Sequence, residues 1–140
     1  MKALVIYESK YGNTEKIALA IGEATSAQVR LAGEVKPADL TGFDLVFIGS
    51  PTHGGWFTEG IRDLLKASPA LGGVKVAVFD TRTKKSLFGF AAPRIARSLE
   101  KNDGKLAAPP EGFVVLGVQG PLLVGELERA AKWAKDIASK

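Results

Sequence analysis

The sequence predicts an α/β fold: a doubly wound, five-stranded parallel sheet of order 2-1-3-4-5, with helices on both faces. Apolar runs of strand length alternate five times with stretches of helical periodicity. Strands separated by helices in this way build a parallel sheet, and right-handed crossovers leave few topologies for it. Two of the runs, Asp44–Ser50 (DLVFIGS) and Val74–Asp80 (VKVAVFD), are almost continuously apolar, as strands covered on both faces are. At 140 residues the chain is long enough for one domain with a real core, residues 1–140.

The first strand spans Lys2–Tyr7. From about Thr14 to Ala24, residues Ile17, Ala20, Ile21 and Ala24 recur on one helical face. Gln28–Ala32 is a short second strand and Asp44–Ser50 the third. A second helix begins near Thr58, a residue suited to an N-cap. Glu59 favours its positive first turn, and Phe57, Ile61, Leu64 and Leu65 lie along one side. Gly72-Gly73 closes a loop before the fourth strand, Val74–Asp80. A third helix starts near Ala92-Pro93, proline being tolerated in a first turn, with Ala92, Ile95, Ala96 and Leu99 inward. Pro109-Pro110 breaks the chain, and Gly112–Gln119 is the fifth strand. The last helix, Gly125–Ala138, carries the stripe Leu127, Ala130, Ala131, Ala134 and Ile137.

Composition narrows the function. Hydrophobic residues make up 46% and charged residues 24% of the chain, and cysteine is absent. Disulfides, thiolate metal sites and cysteine nucleophiles are therefore excluded. No apolar run is long enough to span a membrane. The N-terminus reads as a strand rather than a secretory leader, so the expected location is the cytoplasm. The net charge of +4 is local: residues 75–105 carry eight Lys/Arg against three Asp/Glu, while the flanking regions are close to balanced. Such a face attracts acidic partners. No nucleic-acid reading motif accompanies it, which argues against nucleic acid.

In sheets of this order, ligands bind beyond the carboxyl ends of the strands, between strands one and three. The loop there after strand one is Ser9-Lys10-Tyr11-Gly12-Asn13-Thr14. Gly12 permits a tight turn, Ser9 and Thr14 offer hydroxyls, and the following helix mouth offers backbone N–H groups to an anion. Neither G-x-x-x-x-G-K-[ST] nor G-x-G-x-x-G occurs, so the usual ATP, GTP and NAD signatures are missing. The loop after strand three reads Pro51-Thr52-His53-Gly54-Gly55-Trp56. Pro51 stiffens the exit, Gly54-Gly55 allows close approach, and Trp56 suits stacking on a flat ring. Ser50 and His53 form no hydrolase signature, since no G-x-S-x-G elbow is present. A third loop, Asp80–Arg94, offers Thr81, Thr83 and Ser86 as donors and Phe88 and Phe90 as candidate lids. Arg82, Lys84 and Lys85 are its basic cluster.

These loops resemble those of the flavodoxin family. Ser9–Thr14 is similar to its phosphate loop, S/T-x-T-G-N-T, with Tyr11 in place of the third hydroxyl residue. DLVFIGSPTHGGW, residues 44–56, resembles its third strand and following loop. The resemblance covers essentially the whole chain, in the short-chain form. It implies FMN, bound noncovalently, with its phosphate on Ser9, Lys10, Tyr11, Gly12, Asn13 and Thr14. The isoalloxazine would lie between the loop of Pro51, Thr52, His53, Gly54, Gly55 and Trp56 and that of Asp80, Thr81, Arg82, Phe88 and Gly89. The implied function is an electron carrier between redox partner proteins, a reductase and an acceptor. The alternatives are an FMN-dependent oxidoreductase acting on quinone- or porphyrinogen-like substrates, and a flavodoxin-like domain that has lost FMN. Familiar flavodoxins are acidic around the flavin, and this chain is not. A unit charge about 8 Å away at an effective dielectric near 40 is worth roughly 1 kcal/mol. Arg82, Lys84 and Lys85 would therefore favour the anionic reduced flavin and meet acidic partner surfaces.

Overall fold

A computed structural model describes all residues, 1–140. Six strands are present: β1 (Ala3–Tyr7), β2 (Gln28–Leu31), β3 (Leu45–Pro51), β4 (Lys75–Arg82), β5 (Lys105–Leu106) and β6 (Glu111–Val114). Four helices, α1 (Asn13–Thr25), α2 (Glu59–Ala67), α3 (Ala91–Lys101) and α4 (Glu126–Ala138), connect or follow them. The order is β2-β1-β3-β4, and every pairing is parallel. The expected fifth position is shared by two short strands. β5 pairs with Lys75–Val76 and β6 with Phe79–Arg82, both on the outer edge of β4. Pro109-Pro110 lies between them, where proline has no N–H to give to the ladder. The strand expected over Gly112–Gln119 stops at Val114, and the chain then turns back through a bridge between Val115 and Leu122.

Side-chain alternation divides the core into two layers. Leu4 and Ile6, Val46 and Ile48, Val76 and Val78 face α2 and α3, meeting Ile61, Leu64, Ile95 and Leu99. Val5, Phe47, Ala77 and Phe79 face the other way, onto Ile17 and Ile21 of α1 and Ala130, Ala134 and Ile137 of α4. Trp133 stands edge-on to Phe47, Phe79 and Phe113, at 5.8, 6.3 and 5.8 Å between ring centroids. Gly49 makes room for this cluster, because a Cβ there would fall 2.1 Å from the Phe79 ring. Of the stripe expected on α4, Leu127 is exposed. No helix is long and apolar enough to cross a membrane.

Helix ends are held from the sheet's carboxyl edge. Thr58 occupies the N-cap position of α2, as its sequence suggests, yet its side chain does not cap. Glu8, just past β1, caps instead: its carboxylate accepts the Gly60 N–H at 3.1 Å and the Thr58 hydroxyl. α3 begins on Asp80 and Thr52, which accept the N–H groups of Ala92 (2.9 Å) and Ala91 (3.1 Å). β6 is fastened to α4 by Glu126, buried, whose carboxylate accepts the Val114 N–H at 2.7 Å and pairs with Arg129 at 2.8 Å. Arg129 also reaches Glu111 at 2.6 Å. The Arg129 hydrogen bond holds the Glu126 carboxyl below the usual range, against burial and with help from the Val114 N–H.

Candidate functional site

A cavity of about 270 Å³ opens at the carboxyl edge of β1, β3 and β4. Its position follows from the strand order, since the crossovers leave β1 and β3 in opposite directions around the sheet. Four loops wall it. Ser9, Lys10 and Tyr11 come from the turn before α1, and Asn13 and Thr14 from its first residues. Pro51, Thr52, His53, Gly54 and Gly55 come from the β3 loop. Thr81 and Arg82 end β4, and Thr83, Lys85, Ser86 and Phe90 follow it. Val115 and Val118 come from the loop after β6.

The first turn is built for an anion. Gly12 sits at φ 92° in the N-cap position and brings no side chain to cap the helix, so first-turn N–H groups of α1 remain available. Ser9 Oγ accepts the Gly12 N–H at 3.0 Å, which leaves its own hydroxyl hydrogen free to donate outward. The Thr14 and Thr81 hydroxyls lie 2.7 Å apart in the cavity wall and tie the turn to β4. Asn13 has a bracketing role: its Nδ2 donates to the Gln119 carbonyl at 3.2 Å. A Cβ on Gly120 would meet the Asn13 side chain at 2.7 Å. The last loop is thereby drawn over the mouth of α1.

The second loop is a tight turn in which His53 and Trp56 exchange both backbone hydrogen bonds, at 2.9 and 3.0 Å. Gly54 and Gly55 supply its positive φ values, 56° and 83°. Gly55 also lies against the third loop, because a Cβ there would be 2.2 Å from the Phe88 carbonyl oxygen. His53 lines the cavity, and its Nε2 is buried without a hydrogen-bond partner. Burial, and then the nearby Lys10 charge, lower its pKa. Trp56 does not line the cavity, contrary to its expected place against a ring there. It is half exposed on the outer side, edge-on to Phe57 at 5.7 Å, under the Arg94 guanidinium at 4.1 Å. The Ser50 hydroxyl is committed to backbone, donating to the Pro51 carbonyl and accepting the Thr58 N–H, so it forms no pair with His53.

The third loop divides differently from its expected reading. Thr81 and Arg82 reach the cavity, while Phe88 is exposed to solvent and Gly89 lies outside the wall. Asp80 is wholly buried behind the wall. It binds Arg82 in a fork, Nε to Oδ1 at 2.7 Å and Nη2 to Oδ2 at 2.8 Å. Phe90 covers the guanidinium at 3.7 Å. No carboxylate lines the cavity, and three cations, Lys10, Arg82 and Lys85, do. Sequence reasoning missed Val115 and Val118, because it continued the fifth strand through them. The cluster Gly117, Gly120, Pro121 is the turn signal that marks them as loop.

The donors fit a phosphorylated, flat ligand. Hydroxyls and helix N–H groups come from the first loop and the start of α1, and Thr52, His53, Arg82 and Phe90 of the β3 and β4 loops line the same cavity. No cluster of three or more His, Cys, Asp or Glu side chains is placed to hold a metal ion.

No curated protein matches the chain significantly in sequence. Among solved structures, oxidised flavodoxin 2 from Bacillus cereus is similar, with 24% identity over 99% of both chains and a TM-score of 0.87. A flavodoxin from the domain Archaea shares 24% identity over 99% of this chain and 97% of its own, with a TM-score of 0.81. Two-electron reduced Megasphaera elsdenii flavodoxin shares 17% over 99% of both, with a TM-score of 0.76. A flavodoxin domain profile matches residues 4–102, well over half of the length. With that match, and the strand order and loop set described above, the chain belongs to the flavodoxin family.

Proposed function

We propose that this protein binds FMN noncovalently and carries electrons between a reductase and an acceptor protein. The observation that carries the reading is the uncapped mouth of α1, ringed by Ser9 and Thr14 and opening on the same cavity as the His53 loop. Ser9, Thr14 and the first-turn N–H groups would hold the phosphate with neutral donors, and Lys10 would add the one nearby charge. His53, rather than Trp56, would flank the ring on the β3 side. Bound FMN supplies one- and two-electron redox chemistry. The chain's residues bind it, orient it and exclude water from its inner side.

Redox partners would present acidic surfaces. Between Asp80 and Glu100 no acidic residue occurs, and Lys84, Lys85 and Arg97 make no ion pair. Arg82 is not part of that face, because it is largely buried in the cavity wall and paired with Asp80. Exposed Leu87 and Phe88 follow Lys84 and Lys85 in one loop, and exposed Trp56 shares a shallow pocket with Arg97; these would give the contact apolar area.

Purified protein mixed with FMN tests the reading. The expected result is a yellow complex that dithionite reduces anaerobically and that passes electrons only through a separate reductase. Turnover of a quinone with NAD(P)H by the protein alone would favour the oxidoreductase instead.

A further inference from the structure

One charged group in the cavity wall, Arg82, is held by a carboxylate and covered by an aromatic ring. Arg82 lies at the end of β4, with only 20% of its side chain exposed. Two of its nitrogens are taken by Asp80, whose carboxylate is completely buried and also accepts the Ala92 N–H. One face of the guanidinium is covered by Phe90. A second neighbour is Gly112, the partner of Asp80 in the β4–β6 ladder, where a Cβ would fall 2.1 Å from Arg82 Nε. The sequence thus provides a counter-ion, an aromatic lid and a missing side chain for one guanidinium. Its Nη1 has no protein partner, and the residue lines the cavity. Lys10 and Lys85 also line it, but both are exposed. Their flexible ammonium groups are screened by water and salt.

The geometry points to Arg82 as the residue that sets how much more tightly this chain holds the fully reduced, anionic flavin ring than the oxidised, neutral one. This rests on the FMN reading above. Two electrons and one proton convert the neutral oxidised ring to the reduced anion. A reductant supplies the electrons and solvent the proton. Arg82 neither gives nor takes a proton, because a guanidinium stays charged throughout. With Asp80 behind it, the pair is a dipole whose positive end faces the cavity. Such a dipole discriminates between the two ring charges without being reorganised, since its direction is fixed before the ligand binds. The neutral ring gains little from it.

The test uses the FMN-loaded protein and follows flavin absorbance during anaerobic titration against a reference dye, at low salt and at 0.5 M salt. Oxidised-state affinity is measured separately from flavin fluorescence. For Arg82→Gln the reduced form is expected to lose about fivefold more affinity than the oxidised form, the scale of one oriented charge across a partly hydrated medium. Fivefold corresponds to a two-electron midpoint about 20 mV lower. The shift should persist at high salt, because a fixed, largely buried cation is poorly screened. Arg82→Lys should recover most of it. Arg82→Gln leaves Asp80 buried without its partner and could fail to fold, so Asp80→Asn/Arg82→Gln, which removes both charges together, is the second variant and should shift the same way. Equal midpoints for wild type and both variants, with FMN bound in each, would overturn the role of Arg82 and leave the carrier reading intact. Wild-type protein that stays colourless with excess FMN would overturn both.

Discussion

Gly112 shows how much can hang on a missing side chain. A Cβ at that position would occupy the space of the Arg82 guanidinium. Gly112→Ala should therefore push Arg82 off Asp80 and leave a fully buried carboxylate without its cation. A broken buried pair costs about 3 kcal/mol, so urea unfolding should register a loss of that order, whereas a surface Gly→Ala change would be nearly silent. Glu126 makes a second prediction at this scale. The Arg129 hydrogen bond depresses its pKa in the folded state, so the folded protein binds that proton less readily than the unfolded chain. The stability it contributes is present above the unfolded carboxylate value of about 4.3 and is lost as pH falls through the lower folded value. Glu126→Gln should unfold more easily at pH 7 by about 2 kcal/mol, and the difference from wild type should shrink below pH 4. A pH-independent difference would contradict the assignment.

At the scale of elements, the helix starts explain what the sequence made legible and what it hid. The buried faces of β1, β3 and β4 and of α3 follow from periodicity, because burial on both sides leaves no other pattern. The caps do not follow. Thr58 has the residue type of a cap, but the capping oxygen of α2 belongs to Glu8, and that of α3 to Asp80. Glu8 acts from 52 residues away and Asp80 from 12, and no local rule names either as a cap. The site shows the same division. Ser9–Thr14 and Thr52–Gly55 are legible as loops beyond strands one and three, and all of these residues except Gly12 line the cavity. Its size and glycine neighbours suit Trp56 to a ligand ring, yet it stacks under Arg94 from α3. The family resemblance puts Asp80 beside the ligand, yet its carboxylate serves the helix end and Arg82. Glu8→Ala should destabilise the protein by about 1 kcal/mol through the lost α2 cap, measured by thermal unfolding. Thr58→Ala should cost less, since its N–H bond to Ser50 remains.

The whole molecule separates two kinds of positive charge that the sequence presents as one cluster. Arg82 is largely buried and paired in the cavity wall, whereas Lys84 and Arg97 stay on the surface, as do Trp56, Leu87 and Phe88, and exposed Lys85 sits at the cavity's edge. Inner charge acts on what the cavity holds, and outer charge acts on encounter. Replacing Lys84 and Arg97 with Gln should slow association with an acidic redox partner at least several-fold at low salt, and the difference should vanish in 0.5 M salt. Electron-transfer rates measured by stopped flow across ionic strength check this. The central claim is that the mouth of α1 and the His53 loop together hold one FMN, and equilibrium binding of FMN against riboflavin tests it most directly. On that claim Ser9, Thr14 and the uncapped helix start would hold the phosphate, so FMN should bind at least a hundredfold more tightly than riboflavin, and Ser9→Ala/Thr14→Val should erase most of that preference. Equal affinity for the two flavins, or none for either, would contradict the account.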